Sequence, residues 1–250
     1  MVKVNRKANA AILIIGNEIL SGRTQDVNVS FLSKWLNDHG VRVCEVRIIE
    51  DKESSIVKNI KELKNKFKYI FTTGGIGPTH DDITAKSIAK AFNVKYNYHK
   101  EAYKILEEYY TAKKFSDGRK KMAKMPAGSK LIYNPSSGAP GFILKNVYCL
   151  PGVPSILKSM IHGLKYKIAG GSKILSETIT IQTVESEIAK SLEKVQNRFK
   201  DVEIGSYPFF RLGRIGVSIV MRSTNKNRID ECSKQIVDFI KKRKIEIVER

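Results

Sequence analysis

The sequence predicts an α/β fold: a three-layer domain whose mostly parallel sheet carries helices on both faces, followed by a small α+β domain. Strand and helix patterns alternate through the first half of the chain, an order that gives parallel strands joined by helices. The first strand, Ala10–Ile15, is an unbroken apolar run, which is typical of a strand buried on both faces. After Gly170-Gly171 the order changes to βαββαβ, so we place the domains at residues 1–171 and 172–250.

The elements of the first domain follow in order. Asn28 is a good N-cap for a helix over residues 29–39, and Gly40 is a good stop for it. The pattern predicts strands at Ala10–Ile15, Val41–Ile49, Tyr69–Thr73, Lys130–Tyr133, Gly141–Leu144 and Val147–Leu150. It predicts further helices at residues 54–66, 82–92, 101–110 and 154–163, and a short helix at 119–125.

The second domain is expected to contain four strands and two helices. Its last helix, Arg228–Lys242, has apolar side chains at helical spacing. The remaining elements are a helix at Glu185–Phe199 and strands at Glu177–Gln182, Val202–Tyr207, Ile215–Arg222 and Ile245–Val248.

Composition limits the classes of protein to which the chain can belong. Its 250 residues are 42% hydrophobic and 28% charged, which is ordinary for a globular protein and argues against a fibrous or wholly disordered one. No apolar run approaches the roughly 18 residues that span a bilayer, so no membrane partner is expected. The net charge of +20 favours a polyanionic ligand, although lysines spread along the whole chain are equally explained by compositional drift.

The three cysteines, Cys44, Cys149 and Cys232, lie far apart and form no CxxC motif. Because Cys44 and Cys149 sit in strand-like runs, we expect buried free thiols and a cytoplasmic location.

The strongest chemical signal is the segment Thr72–Thr84, TTGGIGPTHDDIT, between a predicted strand and a predicted helix. Open α/β folds bind ligands at this position, glycines let the backbone approach a ligand, and a helix N-terminus offers N–H groups to an anion. The segment is not a GxxxxGK[ST] phosphate loop, because the lysine is missing. The alternative explanation of these residues is purely structural: a glycine turn before a helix that is capped by Asp81 or Asp82.

Carboxylates follow each of the first three predicted strands: Glu18 and Asp26, then Asp51, then Asp81 and Asp82. Because the carboxyl ends of parallel strands meet at one edge of a sheet, we expect these side chains in one cleft. A phosphate bound there would need a divalent cation between it and the carboxylates, and oxygen ligands favour Mg²⁺ or Mn²⁺. Such a cluster suits metal-assisted attack of water on a phosphoanhydride.

Other candidate motifs are weaker. His80 is suited to binding a phosphate or a ribose, but an exposed loop histidine is as good an explanation. Aromatic and basic residues around Phe209-Phe210 and Gly213–Gly216 are typical of some nucleic-acid surfaces, and we prefer a hairpin with a glycine turn. An RNA-binding KH motif has its GxxG between two helices, whereas these glycines lie between two predicted strands, so nucleic acid is not an expected partner.

These motifs resemble the competence/damage-inducible protein A (CinA) family, whose core is the MoaB/Mog molybdopterin-binding fold. The resemblance runs from Ala11 to Met160 and rests on Gly16–Leu20, Asp26–Asn28, Asp51, Gly74–Thr84, Ala139–Gly141 and Leu150–Pro154. Residues 177–248 resemble the family's small KH-like middle domain through Glu185-Ser186 and Ile204–Pro208. Long members carry a C-terminal nicotinamide-mononucleotide deamidase domain, and we do not expect that activity here.

The resemblance implies hydrolysis of the pyrophosphate of ADP-ribose or FAD with a divalent metal (Mg²⁺, Mn²⁺ or Co²⁺), sometimes with K⁺. It implies catalytic and metal-binding roles for Asp51 and Asp82, with Asp81 as a further metal carboxylate, while Gly74, Gly75 and Gly77 would cradle the pyrophosphate. The other candidate ligand-binding residues are Gly16, Glu18, Asp26, Asn28, Thr73, Pro78, Thr79, Gly138, Pro140 and Gly152. We also expect a homo-oligomer.

Three positions depart from the family's usual pattern. Met122 replaces Gln, Ile156 replaces Glu, and Ser136-Ser137-Gly138 replaces Val-Gly-Thr. These departures leave open a protein that holds a molybdopterin-like or nucleotide ligand without turnover. The net charge of +20 and the KH-like second domain leave open a second alternative, a binder of single-stranded nucleic acid.

Overall fold

The computed structural model describes residues 8–111, 114–211 and 213–249. The chain divides into two compact units, Met1–Gly171 and Ser172–Arg250, each with its own sheet. Among the described residues, no helix has both the length and the apolar character needed to cross a bilayer.

The described residues of the first unit form eight strands, numbered in chain order: β1 (Asn9–Ile15), β2 (Arg42–Ile49), β3 (Tyr69–Thr73), β4 (Tyr96–Tyr98), β5 (Lys124–Pro126), β6 (Lys130–Ile132), β7 (Gly141–Leu144) and β8 (Val147–Leu150). Its helices are α1 (Asn17–Leu20), α2 (Asn28–Asp38), α3 (Glu53–Lys66), α4 (Thr84–Phe92), α5 (Lys100–Tyr109), α6 (Asp117–Lys121) and α7 (Pro154–Ile161), the last continued by a 3₁₀ turn over His162–Lys167.

Six of these strands form one sheet in the order β2-β1-β3-β8-β7-β6. The first four are parallel, and β7 and β6 continue the sheet in antiparallel fashion. The chain passes from β2 on one side of β1 to β3 on its other side. This reversal makes a topological switch point at the carboxyl ends of β1 and β3, where open α/β sheets bind ligands.

Helices cover both faces of this sheet, as predicted. On one face Ile12 packs with Leu32 of α2 and Leu157 of α7. On the other face Leu13 packs with Ile56 of α3. All five residues are fully buried, and each such side chain contributes about 1.5–3 kcal/mol of hydrophobic stabilisation. The result is the expected three-layer arrangement with a mostly parallel sheet.

The second unit has the predicted βαββαβ order: β9 (Leu175–Gln182), α8 (Glu185–Arg198), β10 (Glu203–Arg211), β11 (Arg214–Ser223), α9 (Lys226–Lys242) and β12 (Glu246–Glu249). Its sheet is antiparallel, in the order β10-β11-β9-β12. The preferred hairpin is confirmed, because β10 and β11 pair directly and Gly213 in their connection has a φ of 77°. The GxxG segment therefore does not join two helices as in an RNA-binding KH motif.

The structure corrects three local predictions in the first unit. Asn28 is not the N-cap of α2 but its first residue, and its buried amide donates to the carbonyl of Gly152 at 2.7 Å. Asp26 accepts the N–H of Val29 at 2.8 Å instead, which satisfies one of the unpaired donors at the helix start.

The predicted short helix over residues 119–125 is also wrong in its second half. Helix α6 ends at Lys121, and residues 124–126 form β5, which pairs with β4, a strand that the sequence did not predict. Cys44 is exposed, contrary to expectation, because β2 lies at the edge of the sheet. Cys149 and Cys232 are buried free thiols as expected.

Candidate functional site

The carboxyl ends of β1 and β2 are joined by a reciprocal pair of hydrogen bonds. The backbone N–H of Asn17 donates to Oδ2 of Asp51 at 2.8 Å, and the N–H of Asp51 donates to Oδ1 of Asn17 at 3.3 Å. Beside this pair, the N–H of Gly16 donates to the carbonyl of Ile49 at 3.2 Å. These bonds fix the orientation of the Asp51 carboxylate at the edge of the sheet.

Asp51 lies among other carboxylates. Partial burial raises the pKa of Asp51 above its ordinary value, the hydrogen bond from Asn17 opposes this, and the charges of Glu18, Asp81 and Asp82 raise it further. Of the other four carboxylates that the sequence placed in one cleft, Glu18, Asp81 and Asp82 therefore lie within electrostatic range of Asp51. The side chain of the remaining one, Asp26, accepts a hydrogen bond at the start of α2.

The glycine loop after β3 needs its glycines for steric reasons. Gly74 has a φ of 97°, and a Cβ there would lie 2.1 Å from the backbone oxygen of Ile15. Gly75 has a φ of 66°, and its Cβ would lie 2.2 Å from Oγ1 of Thr84. The loop thus passes directly over the end of β1, which brings its backbone to the switch point.

Asp82 belongs to this loop and does not cap the following helix. One carboxylate oxygen, Oδ2, accepts both the N–H of Thr79 at 2.8 Å and the hydroxyl of Thr79 at 2.5 Å. Helix α4 begins at Thr84, and Ile83 in the N-cap position offers no side-chain cap. The explanation of Asp82 as a helix cap is therefore wrong, and its side chain holds the loop closed. A Cβ on Gly77 would lie 2.7 Å from the same oxygen.

The loop after β8 borders the glycine loop. The N–H of Gly74 donates to the carbonyl of Leu150 at 3.2 Å, and a Cβ on Gly152 would lie 3.4 Å from the Cα of Gly74. Because the side-chain amide of Asn28 donates to the carbonyl of Gly152, α2 helps to hold this loop in place. Two more candidates, Thr73 within β3 and Pro140 before β7, are buried.

The remaining candidates are exposed or lie elsewhere in the unit. Pro78 and Thr79 are exposed on the glycine loop. Gly138 has a φ of 73° and packs against the ring of Tyr109.

A pocket opens beside the glycine loop. The loop side consists of Gly75, Ile76, Gly77, Asp82 and Ala85. The other lining residues are Tyr96, Lys121, Met122, Lys124, Met125, Pro140 and Phe142. The sequence predicted neither Tyr96 nor the two lysines for the site. Among the residues of this part of the pocket, only Met122 was notable in the sequence, because it stands where the CinA family usually has glutamine.

The donor set fits a divalent cation that is only partly held by protein. In the described parts of the chain, no three His, Cys, Asp or Glu side chains lie close enough together to form a complete metal cage. Mg²⁺ is typically bound by one or two carboxylates together with waters and substrate phosphates. The carboxylates of Asp51 and Asp82, both half-buried and fixed by backbone N–H groups, have the chemistry for such a site.

Comparisons with known proteins agree with this fold. Residues 11–171 match the family model described as "Probable molybdopterin binding domain", and residues 173–249 match the one described as "FAD synthase, middle domain". A protein of Archaeoglobus fulgidus is 31% identical over 229 residues, which cover 92% of this chain and 96% of that protein.

Two further relatives carry descriptive names. A "Probable FAD synthase" of Caenorhabditis elegans is 31% identical over 232 residues, covering 82% of this chain but only 45% of that protein. The solved structure of CinA from Thermoplasma acidophilum, described as of unknown function, is 30% identical with a TM-score of 0.62, covering 64% of this chain and 98% of that one. The expected resemblance is therefore confirmed, and the chain belongs to the family of the probable molybdopterin binding domain, in a CinA-like form.

Proposed function

We propose that the first unit is a metal-dependent pyrophosphatase that cleaves a dinucleotide of the FAD or ADP-ribose class. The observation that carries the proposal is that the glycine loop, which holds Asp82 by the N–H of Thr79, passes over the end of β1, where the N–H of Asn17 fixes the carboxylate of Asp51. A cleft with this much negative charge would bind a phosphate-rich ligand only together with a cation. The match of residues 173–249 to the FAD synthase middle domain supports a flavin dinucleotide among the ligands to test.

The chain's own residues would bind and orient the reactants. Because Gly74, Gly75 and Gly77 have no side chains, a pyrophosphate could approach their backbone closely, and the N-terminus of α4 would favour its negative charge. Asp51 and Asp82 would hold the cation, directly or through water. When bound, a divalent cation lowers the pKa of a water molecule and neutralises charge on the leaving phosphate.

Two fixed contacts would keep the carboxylates in place during this chemistry. The N–H of Asn17 fixes Asp51, and the N–H and hydroxyl of Thr79 fix Asp82. Because these partners are already in position, binding of the cation would need little rearrangement.

The test is release of AMP from ADP-ribose and from FAD by the full chain with Mg²⁺, Mn²⁺ or Co²⁺, each with and without K⁺. A chelator-treated sample is the matched control. We expect turnover that requires the divalent metal. If neither dinucleotide is cleaved under any of the three metals, the proposed activity is wrong.

A second candidate function is binding of a nucleotide or pterin-type ligand without turnover. The observation that favours it is that the described residues hold no preassembled group of three metal ligands. Titration calorimetry with FAD and ADP-ribose separates the two candidates. Heat of binding with no AMP released, in the presence of each metal, would favour the binding protein.

A further inference from the structure

A lysine reaches the glycine loop from a distant part of the chain. The ammonium of Lys121, the last residue of α6, donates to the backbone carbonyl of Thr79. Helix α6 lies close to the loop, because a Cβ on Gly118 would come within 2.8 Å of the carbonyl oxygen of Pro78. The loop's own sequence lacks a lysine, but the fold provides one.

The basic residues before Lys121 have other partners. The guanidinium of Arg119 lies 4.2 Å from the ring centroid of Tyr110, and Lys120 pairs with Asp117 at 3.4 Å. Of these three consecutive basic side chains, Lys121 is the one in the wall of the pocket. This difference makes Lys120 a matched control for it.

Lys124 lines the same pocket as Lys121, Gly75 and Gly77. Its ammonium lies 4.8 Å from the ring centroid of Tyr98, and the residue is half-buried. Among the described residues that line this pocket, Asp82 is the one carboxylate, and its Oδ2 accepts two hydrogen bonds from Thr79. The lining of the pocket therefore combines two lysines with the glycine loop and a single carboxylate.

We infer that Lys121 and Lys124 bind a phosphoryl group of the ligand in this pocket. An ammonium has three donors, so Lys121 can keep the Thr79 carbonyl and still bind a phosphate oxygen. Hydrogen bonds from an ammonium to a phosphate oxygen are charge-assisted, and such bonds are stronger than those between neutral groups. The assignment rests on the proposed function for its ligand class and adds the residues that select an anionic ligand.

The experiment is titration calorimetry of the full chain with inorganic pyrophosphate, and separately with ADP-ribose, at low salt. We expect Lys121→Met and Lys124→Met each to weaken pyrophosphate binding about 10-fold, the effect of losing a hydrogen bond to a charged group. Lys121→Arg should retain most of the affinity because it keeps the charge. Lys120→Met removes one positive charge from the same helix and should change the affinity less than about twofold.

The outcomes are distinguishable from those of the activity assay. Unchanged pyrophosphate affinity in Lys124→Met and in a folded Lys121→Met overturns the inference, as does a wild-type chain that binds no pyrophosphate. Equal losses in Lys120→Met overturn it too, because net charge would then explain the effect. If the two pocket variants lose affinity but the wild type releases no AMP, the phosphoryl site stands and only the hydrolase activity fails.

Discussion

Thr79 donates both its backbone N–H and its hydroxyl to the same oxygen of Asp82, at 2.8 and 2.5 Å. This contact closes the glycine loop two residues before α4 begins. The other carboxylate oxygen of Asp82, Oδ1, accepts neither of these bonds and lies near Gly77. The side chain is therefore held by one oxygen while the second is available to a cation.

The first prediction concerns the charge of Asp82. Asp82→Asn keeps an oxygen that can accept from Thr79 and removes the negative charge. We expect the metal-free variant to melt near the wild-type temperature, and metal-dependent turnover to fall at least about 100-fold. Thermal melting with chelator and the AMP-release assay measure the two effects.

Asp117→Asn is the matched control for that variant, since its side chain is fully exposed. It should leave both melting and turnover unchanged. If Asp82→Asn retains full activity, Asp82 only holds the loop and the proposed metal site is wrong.

The second prediction concerns the pH dependence that Asp51 imposes on stability. Burial and the neighbouring carboxylates raise the pKa of Asp51, so the folded chain holds this proton at a higher pH than the unfolded chain does. The free energy of unfolding therefore falls as pH rises from the ordinary aspartate value of about 3.9 through the raised one. Asp51→Asn removes this fall, because an amide does not titrate.

Urea unfolding without metal checks this sign. We expect Asp51→Asn to be more stable than the wild type near pH 7 and about equal to it near pH 4. Added Mg²⁺ should stabilise the wild type and not the variant. Glu50→Gln changes the neighbouring carboxylate, whose side chain is 51% exposed, and should show neither effect. A destabilised Asp51→Asn at pH 7 would contradict the prediction.

The sequence predicts best those parts of this fold that depend on local pattern. Strands β3, β7 and β8 begin and end at the predicted residues, because each is a short, mainly apolar run bounded by proline, glycine or polar residues. The proximity of Asp51 to the glycine loop was also predictable. It follows from the single rule that parallel strands end at the same edge of the sheet.

The parts that were not predicted depend on tertiary contacts. Lys121 meets Thr79 across a separation of 42 residues, and nothing near either residue indicates the contact. Strand β4 has only three residues, with the polar Asn97 at its centre, so its sequence alone does not predict a strand. It forms by pairing with β5. For Asp82, a helix cap and a loop closure use the same chemistry, a carboxylate accepting an N–H. The two roles are distinguished only by the position at which α4 begins, Thr84, which leaves Asp82 outside the cap position.

The third prediction separates close packing from backbone strain in the glycine loop. Gly74 and Gly128 both have a left-handed φ, of 97° and 83°. A Cβ on Gly74 meets the oxygen of Ile15, whereas a Cβ on Gly128 meets nothing within 4 Å. We expect Gly128→Ala to cost about 1 kcal/mol from strain alone. Gly74→Ala should cost at least about 2 kcal/mol more, because the backbone must move.

Urea unfolding of the two variants measures this difference. Equal costs would mean that the loop over β1 moves easily and is not rigidly placed at the switch point.

The last prediction concerns a buried hydroxyl. Oγ1 of Thr84 is fully buried at the start of α4 and has no hydrogen-bond partner among the described residues. Burying an unpaired polar atom costs about 1–3 kcal/mol, so its replacement by a methyl group removes a penalty without loss of a bond. We expect Thr84→Val to be neutral or up to about 1 kcal/mol more stable than the wild type in urea unfolding.

Thr79→Val is the matched change at a hydroxyl that does have a partner, Asp82, and it should lose about 1 kcal/mol. If Thr84→Val loses as much as Thr79→Val, the Thr84 hydroxyl has a partner in solution and the loop around Gly75 differs from the arrangement described.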